Sequence, residues 1–187
     1  MTVTDLRDLK YSQWFKGADV DGDGFITRQD VLQMGKRFSD ARGDAAQSAT
    51  GRRLTEELET FWNQVIAPMD QDGDGQVDLQ EMTAGFRRAL TDPNLYQQQI
   101  QLVADCFFDL IDLDGNGKID QSEFGQIFGL AGNIPIEDCA PVFAALDRDG
   151  SGALDRSEFH QALTEFFYGN DPDASANHLF GKIAIAV

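Results

Sequence analysis

Residues 70–81 read Asp70-Gln71-Asp72-Gly73-Asp74-Gly75-Gln76-Val77-Asp78-Leu79-Gln80-Glu81, a twelve-residue pattern of spaced carboxylates. Acidic side chains stand at positions 1, 3, 5, 9 and 12, and glycine stands at position 6. Residues 19–30, 112–123 and 147–158 repeat the pattern. One match alone would also suit an acidic surface turn. Four matches, each flanked by apolar residues at helical spacing, exclude that interpretation.

The spacing of the oxygen-bearing residues is that of a calcium-binding EF-hand loop. Calcium takes about six to eight oxygen ligands, which such a loop provides from positions 1, 3, 5, 7, 9 and 12, with a backbone carbonyl at position 7. Glycine at position 6 permits the sharp turn. The sequence therefore predicts four calcium sites. The predicted ligands are Asp19, Asp21, Asp23, Phe25, Thr27 and Asp30 in loop 1; Asp70, Asp72, Asp74, Gln76, Asp78 and Glu81 in loop 2; Asp112, Asp114, Asn116, Lys118, Asp120 and Glu123 in loop 3; and Asp147, Asp149, Ser151, Ala153, Asp155 and Glu158 in loop 4.

The net charge of the 187-residue chain is −17, and the metal sites account for most of it. Seventeen of the 32 acidic side chains stand at predicted ligand positions, so four calcium ions would reduce the net charge to −9. Basic residues form no stripe along the sequence. Nucleic acid is therefore excluded as a partner.

The residues around the loops repeat an amphipathic pattern. Apolar residues stand four positions and one position before each loop and again directly after position 12, as in helices that pack inward. Position 8 is apolar in every loop, and in paired hands these residues meet in a short antiparallel contact. We therefore predict an all-α fold of two EF-hand pairs, hands 1 with 2 and 3 with 4. The pairs pack into one compact globule with very short antiparallel β contacts between paired loops.

The segments between the hands predict the domain organisation. Residues 39–51 are small and polar and predict a helix end followed by a flexible connection. Pro93 disfavours one long helix between hands 2 and 3, so the two halves should fold back on each other. We assign residues 1–92 to an N-terminal pair and residues 93–170 to a C-terminal pair.

Residues 171–187 form a C-terminal tail with five apolar side chains: Leu179, Phe180, Ile183, Ile185 and Val187. Leaving a large apolar side chain in water costs about 1.5–3 kcal/mol. We therefore predict that the tail docks on the body of the protein.

Cysteine use and the ends of the chain indicate a compartment. Cys106 and Cys139 stand in apolar helical contexts, which favours free buried thiols in a reducing environment. The N-terminus lacks the apolar run of a signal peptide, and no eighteen-residue apolar segment predicts a membrane span. We expect a cytoplasmic monomer. No nucleophile motif or phosphate-binding loop is present, so we expect no enzyme activity.

Four spread hands, an aromatic-rich body, a proline-interrupted middle and the tail Asp171-Pro172-Asp173…Leu179-Phe180-Gly181 together resemble the sarcoplasmic calcium-binding proteins, especially their bacterial relatives of the calerythrin type. The resemblance covers nearly the whole chain. It implies two EF-hand pairs in one globule and a role as an intracellular calcium buffer or transporter. Many members of that family have one degenerate hand, whereas all four loops keep their ligands here.

Two other functions are open. A calcium sensor would expose an adaptable apolar groove, often rich in methionine, to a protein target. This chain has only four methionines and fourteen phenylalanines, which favours a closed core and a buffer. Aequorin-type photoproteins share the general fold and would make the chain a ligand binder. We predict instead that His160 faces solvent on the last helix.

Loop 1 is the loop that ends in aspartate. Asp30 is one methylene shorter than Glu81, Glu123 and Glu158 at position 12. The shorter side chain moves the site toward six ligands, which magnesium prefers. We therefore predict that magnesium competes with calcium chiefly at loop 1.

Overall fold

A computed structural model describes residues 5–43, 49–130, 134–181 and 183 of the chain. Eight α-helices and two short strands lie within these residues. They are α1 (Leu6–Ala18), α2 (Arg28–Arg42), α3 (Ala49–Phe61), α4 (Leu79–Ala89), α5 (Pro93–Ile111), β1 (Ile119–Asp120), α6 (Gln121–Leu130), α7 (Ile136–Leu146), β2 (Ala153–Leu154) and α8 (Arg156–Tyr168). Between α3 and loop 2 lie a π turn (Trp62–Ile66) and a 3-10 turn (Ala67–Met69), and a second 3-10 turn (Ser175–His178) follows α8.

The four loops meet in two pairs, as the apolar residue at position 8 predicts. Ile26 and Val77 exchange backbone hydrogen bonds of 2.8 and 3.0 Å between loops 1 and 2. In the other pair, β1 and β2 are antiparallel, with Ile119 opposite Leu154. All four side chains are fully buried. The predicted all-α class with paired hands and short antiparallel β contacts is confirmed.

Helix contacts join hands 1 and 2 to hands 3 and 4. Helix α1 packs on α8, α2 packs on α6, and α3 packs on α5. The chain turns back between the halves because α4 ends at Ala89 and Pro93 begins α5, with Asp92 as its N-cap. The predicted break at this proline is confirmed.

Phenylalanine dominates the core that these contacts enclose. Twelve of the fourteen phenylalanines are buried, and edge-to-face and tilted ring contacts, such as Phe61–Phe107 and Phe86–Phe167, connect them across the two halves. Each such contact adds about 0.5–1.5 kcal/mol to the burial of the rings. Cys106 and Cys139 are buried free thiols. Burial raises the pKa of Cys106 to about 12, so its reactive thiolate is disfavoured.

The tail runs back over the aromatic core. Leu179 is fully buried, and the backbone carbonyl of Phe180 accepts a hydrogen bond of 3.1 Å from Gln13 Nε2. The Phe180 ring has four ring neighbours, with centroid distances of 4.8–6.4 Å, which are Phe107, Phe128, Phe166 and Phe167. The predicted tail residues Ile185 and Val187 lie outside the described residues.

Two sequence-based expectations need correction. Residues 39–51 were predicted as a helix end followed by a flexible connection, and α2 does end in this stretch, at Arg42, with Gly43 in a left-handed conformation. Helix α3 already begins at Ala49, however, so the predicted connection extends too far. Residues 44–48 of that connection lie outside the described residues. The predicted solvent-facing position of His160 is also wrong. Its side chain is half-buried because α8 packs on α5, and its Nε2 lies 3.3 Å from Asp105 Oδ1.

The approach to loop 2 differs from the other three. Pro68 has no N–H to donate to Gln64, so the helix widens: Ala67 N donates to Trp62 O, five residues back. Asp70 N then donates to Ala67 O, three residues back, whereas Asp19, Asp112 and Asp147 each donate four residues back. No helix in the described part of the chain is long and apolar enough to cross a membrane.

Candidate metal centres

Each loop brings three predicted ligands to one point. The carboxylates at positions 1, 3 and 12 each offer an oxygen, and within a loop these oxygens all lie within 4.8 Å of one another. The four clusters are Asp19, Asp21 and Asp30; Asp70, Asp72 and Glu81; Asp112, Asp114 and Glu123; and Asp147, Asp149 and Glu158. An all-oxygen, all-anionic donor set suits hard cations such as calcium and magnesium rather than metals that select thiolate or imidazole.

The carboxylate at position 1 shapes the turn. In every loop it accepts a hydrogen bond from the N–H of the glycine at position 6, with N–O distances of 2.8–3.0 Å. These glycines have φ between 81° and 93°, a region that side-chain-bearing residues rarely adopt. The glycine at position 4 also has positive φ in all four loops, so the turn needs glycine at two positions.

The carboxylate at position 12 closes each loop from the far end. In loop 2 the two oxygens of Glu81 accept from Gln71 N and Asp78 N, at 2.8 and 3.1 Å. Glu123 and Glu158 hold the N–H groups at positions 2 and 9 of their loops in the same way. Because position 12 is also the third residue of the following helix, this contact fixes the helix to the loop.

Loop 1 makes the same closure with a shorter side chain. Asp30 Oδ1 accepts from Val20 N at 3.1 Å, and Oδ2 accepts from Thr27 N at 2.9 Å. Thr27 Oγ1 also donates to Asp30 Oδ2 at 2.5 Å. Asp30 is only 2 % exposed. Loop 1 is therefore drawn in around the aspartate, and both of its oxygens point into the loop.

The other predicted ligands lie outside these three-residue clusters. At position 5, Asp23, Asp74 and Asn116 each accept a hydrogen bond from the N–H at position 7 through the side chain. At position 9, Thr27, Asp78, Asp120 and Asp155 accept from the N–H at position 12, so their side chains cap the following helix. An oxygen held this way can reach a cation through water, as is common at position 9.

One electrostatic shift is visible in loop 4. Hydrogen bonds from Ser151, from its backbone N–H first, lower the pKa of Asp149. These bonds favour the carboxylate form, which is the form that binds a cation.

Comparison with known proteins identifies the family. The EF-hand domain pair family matches residues 7–87, and the EF hand family matches residues 103–128 and 140–163. A sarcoplasmic calcium-binding protein of Perinereis vancaurica tetradentata is 30 % identical over 74 % of this chain and 75 % of its own length. The probable calcium-binding protein CML16 of Oryza sativa subsp. japonica is 30 % identical over 74 % of this chain and 68 % of its own.

An enzyme also matches, but only in part. Calcium-dependent protein kinase 4 of Plasmodium berghei is 27 % identical over 69 % of this chain, which corresponds to 22 % of the kinase. Among solved structures, a calcium-binding protein of Streptomyces coelicolor superposes with a TM-score of 0.73 at 22 % identity, over 88 % of this chain and 99 % of that one. The photoprotein clytin superposes with a TM-score of 0.73 at 25 % identity, over 98 % and 97 % of the two chains.

Sequence motif, loop geometry and relatives agree. The protein binds calcium through EF-hands, with the four loops as candidate sites, and it resembles the sarcoplasmic calcium-binding proteins, as the tail and the proline-interrupted middle predict. The chain belongs to the EF-hand family of calcium-binding proteins.

Proposed function

We propose that this protein is a calcium buffer or transporter with up to four occupied sites, and that it is not an enzyme. The filled core supports this proposal most directly. Among the described residues, only Leu90 and Ile136 are large apolar side chains classed as exposed. A sensor must offer an apolar groove to its target. Here tail residues Leu179 and Phe180 pack between the helices, in the space where the apolar side chains of such a target would otherwise bind.

Dye binding distinguishes a buffer from a sensor. We expect the fluorescence of an apolar-surface dye to stay low when calcium is added to the magnesium-loaded protein, because the tail and the phenylalanine core keep the grooves filled. A calcium-responsive sensor of the same fold family serves as the positive control. A several-fold rise in dye fluorescence on calcium addition would show that the protein is a sensor and not a buffer.

The photoprotein-like alternative finds little support in the cavities. The cavity of about 90 Å³ between α1, α2, α5 and α6 is lined by aromatic residues that include Trp14, Phe38 and Phe180. Pockets for drug-sized organic ligands measure roughly 300–1,000 Å³. Neither His160 nor His178 lines this cavity. His178 lines a separate pocket of about 290 Å³ that has no tryptophan or tyrosine among the described residues of its wall. A pocket of about 560 Å³ is lined mainly by charged and polar residues, such as Arg53 and Asp109. We therefore propose calcium as the ligand and assign no organic cofactor.

We propose that the ligands are the six oxygen-bearing positions of each loop as predicted, with position 7 acting through its backbone carbonyl. The division at residues 92 and 170, with a separate tail, is our proposal for the domain organisation. The two buried free thiols support a reducing, cytoplasmic location. The scarcity of exposed large apolar side chains among the described residues supports a monomer.

We propose further that loop 1 is a calcium/magnesium site. Its closure around the short Asp30 side chain leaves room for fewer ligands than a glutamate closure, and magnesium demands about six at short distances. In this role loop 1 would hold the N-terminal half ordered when calcium is low.

Lengthening Asp30 tests this assignment. We expect Asp30→Glu to raise the calcium-over-magnesium preference of loop 1 by about tenfold, equivalent to about 1.4 kcal/mol, because glutamate can offer both oxygens to the larger ion. The Gly24 amide, which is hydrogen-bonded to Asp19, reports loop 1 alone in a competition titration by NMR.

The matched control is Glu81→Asp in loop 2, with the Gly75 amide as its reporter. This variant should shift loop 2 toward magnesium, and loops 3 and 4 should keep their preference in both variants. If the Gly24 titration of Asp30→Glu equals that of the parent, position 12 does not set the selectivity.

A further inference from the structure

A lysine ammonium is buried where the first helix meets the last. Lys10 on α1 has no exposed surface, and it is not one of the predicted metal ligands. Its Nζ donates to the backbone oxygens of Glu165 and Gly169, both at 2.8 Å, and to Asn177 Oδ1 at 3.2 Å. Among the residues whose side-chain burial the structure describes, Lys10 is the only buried basic one.

Three parts of the chain therefore meet at one cation. Glu165 and Gly169 stand at the C-terminal end of α8, where the partial negative charge of the helix favours an ammonium. Asn177 belongs to the tail, and its Nδ2 donates to the carbonyls of Asp171 and Pro172, each at 2.9 Å. The asparagine is also fully buried, and both of its polar groups have partners.

Burying this charge is unfavourable in itself. Taking an ammonium out of water costs several kcal/mol, and an apolar side chain of similar volume is often at least as stabilising. Burial lowers the pKa of Lys10 to about 8, so the charged form still predominates at neutral pH. Burial of the Lys10 ammonium therefore costs free energy, and the ammonium has all its hydrogen bonds only while the three acceptors face it.

Two of the acceptors, the backbone oxygens of Glu165 and Gly169, lie at the end of the last helix of hand 4, and the donor lies on the first helix of hand 1. Helix α8 leaves loop 4, and Glu158, at position 12, fixes the start of the helix to that loop. Helix α1 enters loop 1 and ends one residue before Asp19. The β contacts join loop 1 to loop 2 and loop 3 to loop 4, but they do not join loop 1 to loop 4. The α1–α8 contact provides that connection.

We propose that Lys10 couples calcium occupancy of hand 4 to that of hand 1 across the two halves, and ties the tail to the same transition. When α8 is not held by loop 4, its terminal carbonyls no longer converge on the ammonium. An unpaired buried cation then disfavours the arrangement of α1 that suits an occupied loop 1. Because linkage is reciprocal, occupancy of loop 1 favours occupancy of loop 4 by the same factor.

A cycle of variants measures this coupling. The glycine amides at position 6 resolve the loops by NMR, with Gly24 for loop 1 and Gly152 for loop 4. Glu158→Gln should raise the calcium concentration that half-fills loop 1 by at least about fivefold in the parent, and by less than about twofold in a Lys10→Met background. Methionine fills the lysine site without a charge.

Two controls distinguish the loss of coupling between loops 1 and 4 from a general effect of removing a positive charge or disturbing the fold. Lys36→Met removes the same charge from an exposed side chain, so it should keep the parental factor. The coupling of loops 3 and 4, followed at Gly117, should persist in Lys10→Met because their strands remain paired. The proposal is overturned if Glu158→Gln changes loop 1 by the same factor with and without Lys10, or does not change it in the parent.

A second measurement needs no change at Lys10. In protein with loops 1 to 3 saturated, Glu158→Gln should speed hydrogen exchange of the α1 amides, and unchanged protection of α1 would contradict the coupling. The inference rests on the proposed calcium sites. If the Gly152 amide of the parent protein does not respond to calcium, loop 4 is not a calcium site. If loops 1 and 4 both respond to calcium but independently of each other, only the coupling is contradicted.

Discussion

Removing calcium should lower the melting temperature of this protein by at least about 20 °C. Four sites, each saturated at 100 times its dissociation constant, stabilise the folded state by about 2.7 kcal/mol apiece, or roughly 11 kcal/mol together, if the unfolded chain does not bind. For a chain of this size, 1 kcal/mol corresponds to about 2–4 °C. Calorimetry in excess calcium and in excess chelator measures the difference.

The physical reason is the crowding of carboxylates. Three of them lie within 4.8 Å of one another in every loop, and without a cation their charges repel. Glu123→Gln provides a graded comparison, since it should remove about one site's share of the calcium effect and leave the rest. A melting curve that is the same in calcium and in chelator would show that the clusters do not bind the ion tightly.

Deleting residues 171–187 should be the most damaging change to the chain itself. Full burial of Leu179 contributes about 1.5–3 kcal/mol and the partly buried Phe180 adds a smaller share, so the free energy of unfolding should fall by roughly 3 kcal/mol. The deletion also uncovers Phe166 and Phe167, which the Phe180 ring contacts. Denaturant unfolding and dye binding measure the two effects.

The shorter deletion of residues 184–187 is the matched control. It keeps Leu179, Phe180 and Asn177, so stability and dye binding should stay much closer to those of the full chain. If the longer deletion unfolds at the same denaturant concentration as the full chain and binds no dye, the tail does not stabilise the body.

The loops and their flanking helices could be predicted from sequence because their signal is local. Twelve consecutive residues specify each turn, and the apolar residues beside them recur at helical spacing. The closure by Asp30 was harder to predict. Its shorter side chain was visible, but the hydrogen bonds to Val20 and Thr27 that draw the loop inward depend on folded geometry.

Contacts between distant segments could not be predicted. In the sequence Lys10 looks like an ordinary surface residue, and its acceptors lie 155 residues or more further along the chain. His160 was misplaced for the same reason, since its burial depends on where α5 lies. The irregular approach to loop 2 did leave a local signal, because Pro68 stands two residues before the loop and cannot donate a helical hydrogen bond.

That π turn also bears on how the hand accommodates changes in length. A turn closed by a bond five residues back holds more residues than the 3.6 of an α turn, so residues 62–66 carry a surplus within the helix. The loop that follows still has twelve residues, and Val77 still meets Ile26 in register. A residue inserted in hand 2 during evolution would thus be accommodated in the helix, by the wider turn at residues 62–66, and not in the loop. In an alignment of the four hands, hand 2 should have its extra residue at residues 62–66, opposite a gap in the three sister hands, and no length difference between Asp70 and Glu81.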